Sequence, residues 1–350
     1  MNNEIIENKY IHNKIKLKGI SFARALSTIG IVFYHYFSKS RGSFKLLRKT
    51  ANSNWGFIYV TTFFCISGTV LYYNYPKIHS LKQFYYKRWK SIFPPFYICY
   101  VYFFLRQTFI SHQLFCKGHC SKLIYTILGI DGYLSYKIKT YYLVGEWFLG
   151  AIIILYILYP IIIILMDKNI ILFSLFIIIS NSLLYTENIF VINKFTNIIT
   201  CVNSFYFGIV AIKFKKFFFE NRITLSVFLI IFLLLYKIKI KENILIFLMQ
   251  GYSFFIVLVQ INEYIKSRTI LSIFNKISTL SYSIYLFHHR IINNIQNTIN
   301  PGEWYLHLLL LGIVFILTII CAEIHLIIIK LVMKNIIFQK LDSFFLINFK

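Results

Sequence analysis

Apolar residues arrive along this sequence in long blocks rather than in alternation. At about 20 mainly apolar residues per crossing of the hydrocarbon, the blocks give ten spans. They lie near 20–38, 55–73, 92–110, 147–166, 170–185, 196–212, 223–236, 244–261, 278–296 and 304–329. The fifth and seventh are short and the ninth is polar, which blurs their ends. No block remains for a soluble domain, and no repeat, low-complexity linker or Pro/Gly-rich hinge interrupts the series. The pattern predicts an all-α fold, a polytopic membrane helical bundle of about ten transmembrane helices. One membrane domain would use residues 1–350, with cytoplasmic tails at about 1–18 and 331–350. The first block begins near Ile20 behind a basic tail and has no A-x-A-like cleavage site, so it is expected to stay as a span.

Composition sharpens this. Of 350 residues, 58% are hydrophobic and only 14% charged, where a soluble domain has roughly a quarter charged; mean hydropathy is +0.66. The formal net charge of +25 would point to nucleic acid in a soluble protein. Here most Lys and Arg sit in short loops between apolar blocks, where they set topology, so no nucleic-acid partner is expected. Basic residues at 77–90, 213–222 and 266–276 fall on the side of the N-terminus and place both termini in the cytoplasm. The basic first loop (Lys39, Arg41, Lys45, Arg48 and Lys49) works against that bias. Cys65, Cys99, Cys201 and Cys321 lie in apolar blocks as small hydrophobes. Cys116 and Cys120 flank His119 in CKGHC. No second ligand pair is near, so no metal is expected, and a loop disulfide and free thiols both stay open.

Charged side chains inside spans cost about 2.5–3.5 kcal/mol each on insertion scales and are therefore functional candidates. The first span, GISFARALSTIGIVFYHYF, holds Arg24 and His35, eleven residues apart. That is three turns plus roughly 20°, so both share one helix face about 16 Å apart along the axis. The ninth span, STLSYSIYLFHHRII, sets Ser278, Ser281, Tyr285 and His288 in a polar stripe at helical spacing. His288 and His289 are adjacent, so only one of them can line that face. Glu146 just precedes the fourth span. Between spans two and three, KIHSLKQFYYKRWKSIFPP gathers Lys82, Lys87, Arg88 and Lys90 among aromatics. Positive-inside topology explains these charges, and so does a mouth for an anionic ligand that Arg and Lys would grip.

Five strings stand in order along the chain: Arg24 to His35; FFCISG (Phe63 to Gly68); FYYKRWKSIFPPFY with Arg88 and Pro94; WFLG…YILYP with Trp147, Leu149, Tyr156, Tyr159 and Pro160; and SYSIYLFH (Ser281 to His288). In that order they resemble the acyltransferase-3 family of membrane acyltransferases, which O-acetylate bacterial surface polysaccharides. Together they cover about residues 19–300. Three features depart from the family. Ser91 stands where a second Arg is frequent, beside Lys90. Ile152 and Ile153 stand where many members have a Glu pair, so no role passes to them, though Glu146 could substitute. The C-terminal hydrolase-like domain of some members is absent from these 350 residues, so transfer is expected to finish in the membrane domain or through another protein.

The resemblance implies a multi-pass enzyme of the bacterial inner membrane that moves an acetyl or similar short acyl group from cytoplasmic acyl-CoA to a glycan hydroxyl. Acetyl-CoA would be the donor substrate, with no permanently bound cofactor. A surface or lipid-linked glycan would be the acceptor, with the lipid bilayer and polysaccharide-assembly proteins as partners. Arg24, Lys87, Arg88 and Lys90 would hold the donor's anionic groups. His35, with Arg24 and His288, would carry the catalysis, as general base or as a transiently acylated nucleophile. Ser67, Tyr285 and Glu146 are the remaining substrate or oxyanion candidates. Two other readings stay open: a transporter or flippase for an anionic or lipid-linked glycan, whose buried Arg and His would grip phosphate, and a non-catalytic membrane scaffold.

Overall fold

The computed structural model describes residues 2–39, 49–51, 53–114, 119–141, 143–145, 147–185, 190–239, 244–299 and 303–346, with 2–18 as backbone alone. In chain order the helices are α1 (Asn2–Lys39), α2 (Trp55–Asn74), α3 (Leu81–Ser111), α4 (Leu123–Ile127), α5 (Asp131–Leu134), α6 (Trp147–Lys168) and α7 (Ile170–Ser180). There follow α8 (Ile198–Lys213), α9 (Lys215–Phe218), α10 (Arg222–Lys237), α11 (Ile244–Ile261), α12 (Arg268–Thr298), α13 (Trp304–Met333) and α14 (Ile336–Leu346). Among the described residues there is no strand, only an isolated bridge between Lys49 and Asn54. Every predicted apolar block falls on a helix. Four helical stretches, Trp55–Asn74, Trp147–Lys168, Ile244–Tyr264 and Trp304–Met333, are long and apolar enough to cross a membrane by length and composition alone. The protein is an all-α membrane helical bundle.

Polar caps set several helix starts. Asn54 accepts from the Phe57 N–H at 3.0 Å, Ser80 from Gln83 at 3.3 Å, Asn197 from Ile199 at 3.0 Å and Asn221 from Ile223 at 2.9 Å. Each satisfies a backbone donor that the first turn leaves without an intrahelical partner. Asn169 does the same for Leu172 at 3.0 Å, so one residue separates α6 from α7. Several helices outrun their apolar blocks. The basic stretch expected as a loop before residue 92 is the first three turns of α3, and residues 2–18 continue α1. A hydropathy ruler detects only the part of a helix that lies in hydrocarbon, because a helix running on into water no longer needs apolar side chains.

The chain forms two compact units, residues Met1–Tyr75 with Ile177–Ser281, and Pro76–Phe176 with Tyr282–Lys350. In the first, α1 and α2 pack antiparallel, and α2 and α8 pack parallel. The parallel sense is set at one end by the stacked rings of Phe57 and Phe195, 5.1 Å apart. At the other end Thr69 Oγ1 donates to Gly208 O at 2.9 Å. Where they cross, a Cβ on Gly68 would stand 2.0 Å from Phe205 O, and one on Gly208 would stand 2.0 Å from Cys65 O. Two glycines thus let two backbones touch, which is how helices gain dispersion contact where lipid offers no hydrophobic drive. Buried amides add polar links: Asn181 Nδ2 donates to Asn203 Oδ1 at 2.9 Å and Gln260 Nε2 to Phe218 O at 2.7 Å.

In the second unit α3 is the central element. α6 runs antiparallel to it, with Phe84 stacked on Tyr159 at 5.4 Å and Tyr85 Oη donating to Ile157 O at 3.0 Å. Pro94 and Pro95 lie inside α3 and remove two backbone donors. Side chains of the neighbouring helices bond to carbonyls around them: Tyr282 Oη donates to Ile92 O at 3.1 Å, and His325 Nε2 to Pro95 O at 2.9 Å. α14, in the stretch expected as a tail, lies against the first turns of α3.

Candidate active site

The candidate residues divide between the units. In the first, Arg24 and His35 lie on the unbroken helix α1, both half-buried. Thr28 Oγ1 donates to Arg24 O at 2.8 Å, a local bond that leaves the α1 hydrogen-bond ladder intact. Two reciprocal contacts fix the α1–α2 register. Gly30 faces the Tyr59 ring, 2.2 Å from where a Cβ would be, and Gly56 faces the Tyr34 ring at 2.3 Å. Counting 1.5 Å per residue from those contacts, Ser67 on α2 is level with Arg24 to within about a turn. It is displaced roughly 20 Å along the axis from the level of His35. Ser67 is half-buried and makes no hydrogen bond among the described residues. The register therefore takes Ser67 away from chemistry at His35, a separation that spacing within single helices does not reveal.

In the second unit the basic residues of α3 have different surroundings. Lys87 is exposed. Arg88 lies with Cζ 5.8 Å from the centre of the Tyr156 ring, a cation–π geometry that joins two of the strings noted in the sequence. Lys90 Nζ is 2.6 Å from both carboxylate oxygens of Asp342 on α14, and Tyr86 Oη donates to Asp342 Oδ1 at 2.8 Å. The Lys90 hydrogen bond is the main influence holding the Asp342 carboxyl below its ordinary value. Burial, aided by Asp342, pushes the Tyr86 hydroxyl up to about 12. The expectation that Lys90 meets an anionic ligand is thus complicated by an acid from the chain itself. Asp342 is one of 12 acidic residues in the sequence, and that scarcity was the only signal for it.

The polar stripe on α12 is present as predicted in spacing, with Ser278 and His288 buried and Ser281 and Tyr285 half-buried. His288 Nδ1 lies 3.1 Å from Ile284 O and 2.9 Å from Tyr285 O. A carbonyl only accepts, so Nδ1 carries the proton, and in the neutral ring Nε2 holds the lone pair. That tautomer suits His288 to take a proton. The Tyr285 ring packs edge-on to Phe148 at 5.6 Å, and its hydroxyl is 3.7 Å from where a Gly145 Cβ would stand. Gly145 has φ +73°, and Arg290 Nε donates to Leu143 O. The segment 143–145 at the start of α6 is therefore held against α12. Glu146 lies outside the described residues, as does Cys116.

His325 received no role from the sequence. It bridges three helices, with Nε2 donating to Pro95 O and Nδ1 2.9 Å from Ser283 Oγ. Because Nε2 must hold the proton for the carbonyl, the Ser283 hydroxyl donates to Nδ1. Among the described residues no group of three His, Cys, Asp or Glu side chains is arranged to hold a metal ion.

A family model described as an acyltransferase domain matches residues 17–327, from α1 to near the end of α13. No curated protein and no solved structure matches the chain.

Proposed function

The chain belongs to the acyltransferase-3 family and is a membrane acyltransferase, and from that premise we propose that it transfers an acetyl or similar short acyl group. The donor is acetyl-CoA from the cytoplasm, and the acceptor is a hydroxyl of a surface or lipid-linked glycan. The observation that carries this reading is the pairing of Arg24 and His35 on one face of α1. A cation and an imidazole about 16 Å apart fit an acyl donor whose charged end and reacting end are far apart. Arg24 binds the anionic nucleotide end, and His35 meets the thioester.

In the transfer, His35 takes the proton from the acceptor hydroxyl as its oxygen attacks the thioester carbonyl. The tetrahedral oxyanion collapses with cleavage of the C–S bond. The proton then passes from the imidazolium to the departing thiolate, leaving ester and CoA thiol. General base action of this kind contributes about 10²–10⁴-fold. Lys87 and Arg88 are assigned to the donor's phosphates, and His288 to a second proton acceptor. Of the two α12 candidates, Tyr285, whose O–H can donate, suits an oxyanion better than neutral His288, whose second ring nitrogen only accepts.

The test is mass spectrometry of surface glycan from cells with wild type, His35→Ala or Arg24→Ala at matched membrane levels. An acetyl-sized increment that needs both residues, on glycan that still reaches the surface, is the expected result. Glycan export failing without any change in acylation would replace this reading with transport.

A further inference from the structure

The second unit contains a cavity of about 330 Å³ between α3, α12 and α13 that the acyl-transfer reading does not use. Its walls are mainly apolar, with Phe103, Phe287, Ile291 and Ile324 among them, and it also holds Arg106 and Arg290. Among the described residues no acidic side chain lines it. It opens sideways through residues that the fold leaves uncovered: Tyr102 is 56% exposed, Ile324 52% and Ile328 40%. In a membrane helix bundle such surface meets lipid rather than water.

α3 and α12 run parallel along this wall, since Ile92 bonds to Tyr282 and the rings of Phe103 and Phe287 lie 5.5 Å apart. Arg106 and Arg290 are therefore both near the C-terminal ends of their helices, on one face of the membrane. Arg106 makes no hydrogen bond or ion pair among the described residues. Arg290 is turned by its Nε bond to Leu143 O. An arginine flanking hydrocarbon carries its guanidinium to the interface, where lipid phosphate is the abundant anion. A polar glycan would leave hydroxyl groups unsatisfied against these apolar walls. At about 330 Å³ it lies at the low end of small-molecule pockets, enough for part of an acyl chain and too small for a whole lipid.

We propose that this lateral cavity is a binding site for an anionic phospholipid of the bilayer, with part of one acyl chain between Phe103, Phe287 and Ile324. The phosphate lies at Arg106 and Arg290. The inference is independent of the donor and acceptor assigned above, since it rests on residues given no part in the transfer.

The experiment reconstitutes the full chain in nanodiscs of phosphatidylglycerol and phosphatidylcholine with matched acyl chains. The lipid retained after transfer to detergent is then quantified. For wild type, phosphatidylglycerol should be enriched over the bulk ratio by about tenfold, equivalent to about 1.4 kcal/mol. Arg106→Gln, at an exposed side chain without partners, should fold and return the ratio to that of the bulk. Ile324→Trp, which adds bulk at the mouth, should reduce retention of both lipids. Equal retention of the two lipids by wild type, or enrichment unchanged in Arg106→Gln, overturns the proposal. So does loss of the enrichment to millimolar glycerol phosphate, which would mark a site for free phosphate.

Discussion

Lys90 and Asp342, 252 residues apart in sequence, form a two-oxygen ion pair at 2.6 Å that ties α14 to the first turns of α3. Around it Tyr86 stacks on Phe345 with centroids 4.5 Å apart, and Lys82 Nζ lies 3.9 Å from the Phe344 ring centre. A helix thus lies along the basic segment assigned to the acyl donor.

Asp342→Asn should loosen α14 without unfolding the bundle. The pair is partly exposed, at 27% and 32%, so its loss together with the weakened Tyr86 bond is expected to cost only about 1 kcal/mol. Amide exchange over 336–346 should rise about fivefold at neutral pH, and Lys90→Ala should match it. The folded-state value of Asp342 is depressed below 3.8. Its contribution is therefore complete above pH 3.8 and is lost as pH falls through the lower folded value. Exchange in wild type, corrected for intrinsic rate, should converge on that of Asp342→Asn in that range.

The α2–α8 crossing predicts a sharp contrast among glycines. Gly68→Ala and Gly208→Ala each drive a methyl into a backbone carbonyl, which cannot swing aside as a side chain can. Each should destabilise by about 1–3 kcal/mol or more. Gly312→Ala on α13, where no described residue lies within 4 Å of the added methyl, should be neutral or stabilising by up to about 1 kcal/mol. Unfolding of purified protein in mixed micelles measures all three.

Acyl incorporation should fall by about 10²–10⁴-fold in His35→Ala if that imidazole is the base. His288→Asn keeps an N–H for the carbonyls of Ile284 and Tyr285 but removes the basic nitrogen. A fall of similar size, with the unfolding midpoint unchanged, would identify a proton acceptor. Unchanged incorporation would leave His288 a structural residue.

His325→Ala removes the bridge between Pro95 and Ser283. Hydrogen bonds between membrane helices contribute about 0.6–2 kcal/mol, so a loss of about 1–2 kcal/mol in the same unfolding assay is expected. His325→Gln, which can still donate and accept, should recover part of it.

The apolar blocks determined the helices, because crossing hydrocarbon without unsatisfied backbone leaves a long helix as the one available form. Arg24 and His35 were legible together for the same reason: one helix has one period, and eleven residues return to one face. The tertiary structure decided whatever depends on two helices at once. It alone moved Ser67 to the level of Arg24, joined Arg88 to Tyr156, and gave Lys90 the acid of α14. It also showed why Gly68 and Gly208 have no side chain, since the reason is another helix's carbonyl. Periodicity acts along a single segment, whereas register between segments is set by packing of side chains far apart in the chain. That physical difference separates what this sequence states outright from what its fold had to settle.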